Sequence, residues 1–163
     1  DTNMPNVTLK EIEETTQGAL MAHGAGAFAA AEVARAVAAA ESVGNKICGL
    51  YYVESYCQQL KTGRVKGDVT PSVSTPRKAV VHVDALFGFA QPAFSYGLPV
   101  ALDVARQAGI ATLAVGHAHT CTSLGYFTEQ IARAGLIGIG FTNALRIIGG
   151  TIKIYYGFNF RIL

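Results

Sequence analysis

Over the first third of the chain, apolar positions recur every three to four residues. Leu9, Ile12, Thr16, Ala19 and Leu20 share one helical face, with Glu11, Glu14 and Gln17 elsewhere. Thr8-Leu-Lys-Glu11 reads as a capping box for this helix, and Gly24 and Gly26 end it. A second, Ala-rich helix runs from about Phe28 to Ser42, with Gly44 at its C-terminal cap. A third follows Gly49. Val53, Tyr56, Cys57 and Leu60 form its apolar stripe, and Gly63 stops it. Residues 64–77 carry Gly67, Pro71 and Pro76 among Ser and Thr, the composition of a connector.

The period then changes. Ala79 to Val83 is short and β-branched, hence a strand. A loop with Gly88 and Pro92 leads to a helix ending at Gly109, which Pro99 either starts or kinks. Ile110 to Val115 is a second strand, Ser123 to Ala134 a helix closed by Gly135, and Leu136 to Phe141 a third strand. From Thr151 to Tyr156, Ile152, Ile154 and Tyr156 alternate with Lys153 and Tyr155, as in a half-buried strand. Three helices followed by strand-helix-strand-helix-strand-strand make an α/β domain behind a helical N-terminal segment. There is no internal repeat.

Composition narrows this picture. Half of the 163 residues are hydrophobic and 15% are charged, against about 25% charged in a typical soluble domain. A surface so poor in charge implies cover by a partner or by more of the same chain. A formal charge of +2 without a Lys/Arg cluster speaks against nucleic acid. The longest apolar run, residues 27–40, is broken by Glu32 and Arg35, so no membrane span is expected. The N-terminus lacks the pattern of a signal peptide. Cys48, Cys57 and Cys121 are odd in number and without CxxC spacing, which argues against a disulfide framework and a zinc site. The compartment this implies is reducing cytoplasm.

Gly116-His-Ala-His-Thr-Cys-Thr-Ser-Leu-Gly125 follows a strand and opens a helix. Such turns bind anions and cofactors, because the helix start offers free N–H donors and the positive end of its dipole. Thr120, Thr122 and Ser123 add hydroxyls suited to phosphate oxygens; equally, Thr122 or Ser123 caps the helix and nothing more. His117 and His119, two apart, would share one face of a strand, as a metal pair does, but no third ligand is evident, so no metal is expected. Cys48 reads as a small buried hydrophobe or as a proton donor. Tyr51, Tyr52 and Tyr56 are core aromatics, or one hydroxyl reaches a cleft. There is no G-x-G-x-x-G after a strand, no Walker motif and no G-x-S-x-G, so the residues alone define no reaction.

From about Val7 to Asn143 the chain resembles the type-2 malate/lactate dehydrogenase family, with its ureidoglycolate and sulfolactate dehydrogenases and Δ1-piperideine-2-carboxylate/Δ1-pyrroline-2-carboxylate reductases. The blocks that carry the resemblance stand in the right order. They are Gly44-Asn45, Cys48-Gly-Leu-Tyr-Tyr-Val-Glu-Ser-Tyr56, Leu60 with Gly63-Arg-Val65, Asp84, Gly88-Phe-Ala-Gln91, the turn from His119 to Tyr126, and Ala134-Gly-Leu-Ile-Gly-Ile-Gly-Phe-Thr-Asn143. The resemblance implies a non-Rossmann malate/L-lactate dehydrogenase-like fold: a mixed, mainly antiparallel sheet with flanking helices, of which this chain holds a truncated, N-terminal half. Residues 1–77 would be a helical segment serving the substrate site and dimerisation, and residues 78–163 a partial NAD(P)-binding domain.

The resemblance also implies hydride exchange between NAD or NADP and C2 of a 2-oxo acid, its 2-hydroxy acid, or a cyclic imino acid, in a homodimer. The family has Ser-His-Gly where this chain has Ile47-Cys48-Gly49, so Cys48 inherits the position of the proton donor. The Arg that holds the substrate carboxylate is replaced by Tyr52, and Thr142 and Asn143 complete the implied substrate contacts. The cofactor turn, usually Asn-His-Phe-Gly-Ala, is His119-Thr120-Cys121-Thr122-Ser123 here, with Leu124 following. A thiol donates a proton near neutrality, but a Tyr lacks the fork of an Arg, which favours a cyclic imine or another unusual 2-oxo substrate. The loss of the usual His and Arg also suits an alternative, a non-catalytic relic kept as a ligand-binding or oligomerisation module. A metal-dependent hydrolase using His117 and His119 is a third reading. Past Asn143 the family continues to a Gly-Thr-Asn-Pro motif, of which Gly157-Phe-Asn159 is a distorted echo, and the residues that distinguish NAD from NADP would lie beyond residue 163.

Overall fold

The computed structural model describes residues 6–119, 121–145 and 152–157, with side chains up to Thr142. The chain divides into two compact units between Cys121 and Thr122.

The first unit begins with a helical layer. α1 (Leu9–Ala22) starts at the expected capping box. The Glu11 N–H donates to Thr8 Oγ1 at 3.2 Å, and the Thr8 N–H donates to Glu11 Oε2 at 2.8 Å, so two otherwise orphaned donors are satisfied. α1 buries Ile12, Thr16 and Leu20 against α2 (Ala27–Ser42). The alanines of α2 let neighbours approach on more than one side, so Ala30, Val33, Ala34 and Val37 are all fully covered. Glu32 is buried too. It pairs with Arg35 and accepts from the Ser95 hydroxyl, which links α2 to a later helix. Two 3-10 turns, Lys46–Cys48 and Leu50–Tyr52, lead into α3 (Val53–Lys61). Its apolar stripe buries Tyr56, Cys57 and Leu60, which join Leu20, Val33, Val37, Val65 and Phe89 in one core.

The stretch 64–77 is more than a connector. Its end is strand β1 (Ser72–Arg77), antiparallel to β2 (Val80–Asp84). β1 lies at the sheet edge, and Pro76 falls where the register shifts between Ser74 and Arg77. An edge strand with an irregularity tolerates the missing N–H of proline, which is why a Pro- and Ser-rich segment forms a strand here. β2 passes through α4 (Ala90–Ala108) to β3 (Thr112–Gly116), parallel to β2. Pro92 sits in the first turn of α4, where no N–H is needed, and Pro99 lies inside the helix rather than at its start. Gly97 brings α4 close to the sheet: a Cβ there would meet Val83 Cγ2 at 2.5 Å and Leu113 Cδ1 at 2.7 Å. β3 begins two residues later than expected, after Gly109 ends α4 in the left-handed conformation with φ 80°.

The second unit holds α5 (Leu124–Arg133) and an antiparallel pair, β4 (Gly140–Leu145) with β5 (Ile152–Gly157). The strand expected from Leu136 begins only at Gly140. Residues 136–139 instead lie back along α5, where a Cβ on Gly138 would sit 3.1 Å from the Thr128 carbonyl oxygen. The expected alternation of side chains over residues 152–156, and the Phe158-Asn159 echo, lie outside the described residues. Among the described residues, β1–β2 and, in a separate sheet, β4–β5 pair antiparallel, and β2–β3 pair parallel. The architecture is the α/β, mixed and mainly antiparallel arrangement that the resemblance implies.

Candidate active site

Cys48 ends the first 3-10 turn and is half-buried. The Glu41 carboxylate fixes its loop by accepting the Leu50 N–H at 2.8 Å. Gly49 is buried against this carboxylate: a Cβ there would sit 2.7 Å from the Glu41 carboxyl carbon, so a side chain at 49 would push the Glu41 anchor aside. Tyr52 is half-buried four residues beyond Cys48 and stacks on Tyr56, with ring centroids 6.0 Å apart and an interplanar angle of 22°. Tyr56 in turn meets Phe89 edge-on at 5.6 Å and His119 at 5.8 Å. An aromatic chain thus connects the expected substrate residue Tyr52 to the first residue of the expected cofactor turn. Cys57 points into the core, and burial pushes its thiol pKa up.

His119 lies past the end of β3, where its N–H donates to the Gly88 carbonyl at 2.8 Å. Its Nε2 is 2.5 Å from Gln59 Oε1, while Gln59 Nε2 donates to Ser55 Oγ at 2.9 Å. Since the amide NH2 goes to Ser55, Gln59 offers His119 only an acceptor, so Nε2 carries the imidazole proton. Nδ1 is then a buried lone pair without a hydrogen-bond partner. Burial, followed by the charge of Arg64, lowers the His119 pKa below the usual imidazole range and favours this neutral form.

His117 goes elsewhere. It adopts a left-handed φ of 47° beyond β3, stacks on Phe87 and places Nδ1 3.1 Å from Asp84 Oδ1. The Leu86 N–H and His117 hold the Asp84 carboxyl below the usual carboxylate range. The two imidazoles therefore do not share a strand face as expected. They serve different partners, and among the described residues no group of three His, Cys, Asp or Glu is placed to hold a metal.

Of the remaining cofactor-turn residues, Cys121 is half-buried at the end of the first unit, and Thr120 lies outside the described residues. Thr122, Ser123 and Leu124 open the second unit. Ser123 occupies the N-cap position of α5, but its side chain makes no capping bond, so capping does not account for its hydroxyl. Thr122 has φ 54°, in the left-handed region. A β-branched residue is strained there, and glycine is not. In the family's usual turn, glycine holds this place. Thr142 is half-buried on β4, opposite Tyr155 in the ladder. Asn143 follows it on the strand, with its side chain outside the described residues. Sequence reasoning missed Gln59, which orients His119, and Phe87, which carries His117. Gln59 sits one turn after Ser55 on α3, and a lone i, i+4 polar pair is no signal by itself.

Solved malate dehydrogenases share this fold. The one from Pyrococcus horikoshii OT3 superposes with a TM-score of 0.81 at 22% identity, over 88% of this chain and 41% of that one. The one from Entamoeba histolytica gives 0.79 at 25% identity, over 86% and 39%. The Malate/L-lactate dehydrogenase family model matches residues 7–153, and the chain belongs to that family. Its relatives include the Delta(1)-pyrroline-2-carboxylate/Delta(1)-piperideine-2-carboxylate reductase of Pseudomonas putida, 32% identical over 155 residues, which cover 94% of this chain and 46% of that protein. The (2R)-3-sulfolactate dehydrogenase (NADP(+)) of Chromohalobacter salexigens is 34% identical over 138 residues, or 85% and 41%. The chain thus spans less than half the length of these curated relatives.

Proposed function

We propose that this chain is part of an NAD(P)H-dependent oxidoreductase that exchanges hydride with C2 of a 2-oxo acid or a cyclic imino acid. The observation that carries this reading is the aromatic chain from Tyr52 through Tyr56 to His119. It joins the segment bearing Cys48 to the start of the turn that matches the family's cofactor turn. The residues present fit a nicotinamide cofactor: His119 keeps a buried acceptor without a partner, and the Ser123 hydroxyl is not used for capping. Cofactor contacts are assigned to His119, Thr120, Cys121, Thr122, Ser123 and Leu124. Substrate contacts are assigned to Tyr52, Thr142 and Asn143.

When bound, the reduced nicotinamide supplies the hydride that goes to C2. Cys48 then delivers the proton that the substrate's oxygen or nitrogen gains, and the Glu41-anchored loop holds its sulfur in place. Tyr52 lines the substrate side with its ring braced on Tyr56. In this reading residues 1–77 serve the substrate site and a homodimer contact, and residues 78–163 form part of the cofactor domain of a cytoplasmic enzyme. The replacement of the usual His and Arg by Cys48 and Tyr52 supports a second reading, a relic that binds ligand without turnover.

A titration of the full-length protein with NADPH and NADH, followed by nicotinamide fluorescence, tests the cofactor. Saturable binding is expected, and no binding of either removes the oxidoreductase reading. Steady-state assays of Cys48→Ser with a 2-oxo acid and a cyclic imine test the acid. A loss of kcat of about a hundredfold, the low end for general-acid catalysis, is expected. Unchanged kcat removes Cys48 from the chemistry. Binding without turnover in the unaltered protein would establish the relic.

A further inference from the structure

Where β2 ends, the chain turns through Ala85-Leu-Phe-Gly88. Leu86 and Phe87 both have positive φ, 52° and 65°, and the Gly88 N–H donates to the Ala85 carbonyl at 2.8 Å. Two successive positive φ angles are the pattern of a type I′ turn, which favours Asn and Gly. Here the turn carries two apolar side chains that are 39% and 57% exposed, so core packing does not explain them. It is tied on both flanks. The Phe87 N–H donates to the His117 carbonyl at 2.7 Å, and the Lys66 N–H donates to the Phe87 carbonyl at 3.0 Å. The Phe87 ring is thus presented to solvent from a fixed backbone. The corner lies at the carboxyl ends of two parallel strands, where α/β sheets commonly bind ligands.

His117 adds a polar edge to this surface. Its ring stacks on Phe87 with centroids 5.1 Å apart and 29° between planes, an offset that leaves part of the Phe87 face open. Asp84 Oδ1 accepts the Leu86 N–H at 2.8 Å and lies 3.1 Å from His117 Nδ1. A carboxylate only accepts, so in the neutral imidazole Nδ1 carries the proton and Nε2 is an acceptor. The His117 side chain is exposed, which leaves that nitrogen open to a ligand. Lys66 Nζ lies 5.8 Å from the Phe87 centroid, a charge that suits an uncharged ring better than a cationic one.

Resting on the reductase reading above, we propose that Phe87 and His117 hold the nicotinamide end of the reduced cofactor. The carboxamide NH2 donates to His117 Nε2, and the ring packs on the open part of Phe87. The corner asks for a group that is flat, uncharged and carries a hydrogen-bond donor, and the reduced nicotinamide meets all three demands. The oxidised ring is cationic. A 2-oxo carboxylate has no donor to give to Nε2. Adenine, at the other end of the same cofactor, is also a flat ring bearing an NH2. Position favours the nicotinamide: His117 stands two residues before His119, and the aromatic chain from His119 through Tyr56 to Tyr52 leads to the segment bearing Cys48. The ring that gives up hydride has to meet the substrate, whereas adenine does not.

Titration calorimetry of the full-length protein at about pH 8, where free imidazole is neutral, tests this without turnover. The ligands are NADH or NADPH, whichever binds tighter, and two analogues of that nucleotide. The reduced 3-acetylpyridine analogue has a methyl in place of the carboxamide NH2. The reduced deamino analogue has hypoxanthine in place of adenine. The acetylpyridine analogue is expected to bind about three- to tenfold more weakly than the parent, as loss of one net hydrogen bond implies, and the deamino analogue to bind equally. In His117→Gly, which keeps the left-handed backbone free of strain, the acetylpyridine ratio falls to about one. Each ratio is taken within one variant, so partly unfolded protein does not imitate it. Phe87→Leu weakens all three ligands about two- to tenfold, as loss of an aromatic pair does. An acetylpyridine ratio of one in the unaltered protein, a ratio that survives His117→Gly, or binding untouched by Phe87→Leu overturns the proposal. A deficit confined to the deamino analogue also overturns it and puts the adenine there instead. The two readings fail separately. Nicotinamide-dependent turnover with a ratio of one removes the corner and keeps the reductase. The expected ratios without turnover of any 2-oxo acid or cyclic imine keep the corner and remove the reductase. No binding of any of these nucleotides removes both.

Discussion

The helical layer and the segments beyond the strand ends follow opposite rules. In the layer, Leu20, Ala30, Val33, Ala34 and Val37 are wholly or almost wholly buried, and α1 is capped at its N-terminus by a complete box. Beyond β2 and β3, Leu86, Phe87, His117 and Thr122 are held in left-handed backbone, and His119 keeps a buried acceptor without a partner. The layer collects stability, whereas these segments hold backbone strain and an unpartnered polar atom that packing does not repay.

This contrast is open to attack from the stable side first. Leu20→Ala removes a fully buried side chain from the core and is expected to cost about 2–5 kcal/mol, read from denaturant unfolding. Gly97→Ala drives a methyl into Val83 and Leu113 and is expected to cost about 1–3 kcal/mol by the same measurement. On the strained side the cost shrinks. Thr122→Gly relieves the φ of 54° but gives up the Thr122 side chain and loosens the unfolded chain, so stability is expected to change by less than about 1 kcal/mol. A loss of about 2 kcal/mol or more there would show that the turn is not strained.

The smallest expected effect is in pH. The His119 pKa is lowered by burial and by Arg64, so the folded state favours neutral imidazole more than the unfolded chain does. That contribution is complete above the unfolded value of about 6.5 and is lost as pH falls through the lowered folded value. Unfolding temperatures measured down this range should fall, and more steeply than in His119→Asn. Equal slopes would contradict the placement of His119.

The helical layer was the more legible region because its signals are local. The Thr8–Glu11 box and the Tyr56-Cys57-Leu60 stripe depend on neighbours within a turn, and the structure carries both. β1 was not legible, because an edge strand needs only a few partners and tolerates Pro76, so its composition is that of a loop. The start of β4 was misplaced because Ile137 and Ile139 look like strand residues, while Gly138 and Gly140 fit against α5. In the candidate site, His119 and Cys48 stand out only through the family resemblance, since residue type alone leaves Cys48 equally a buried hydrophobe. Their surroundings do not stand out at all. Gln59 meets His119 across 60 positions of sequence, and Asp84 meets His117 across 33. Nor does a one-letter code reveal that Phe87 has a positive φ.

The most direct test of the proposed chemistry follows the hydrogen itself. The full-length protein would be incubated with NADPH or NADH deuterated at the transferring face of C4, together with Δ1-pyrroline-2-carboxylate or a 2-oxo acid, and the product examined by mass spectrometry and NMR. The account predicts one deuterium at C2 of the product and none elsewhere. Product formed with hydrogen from solvent at C2, or no product from any of these acids with either nucleotide, would contradict it.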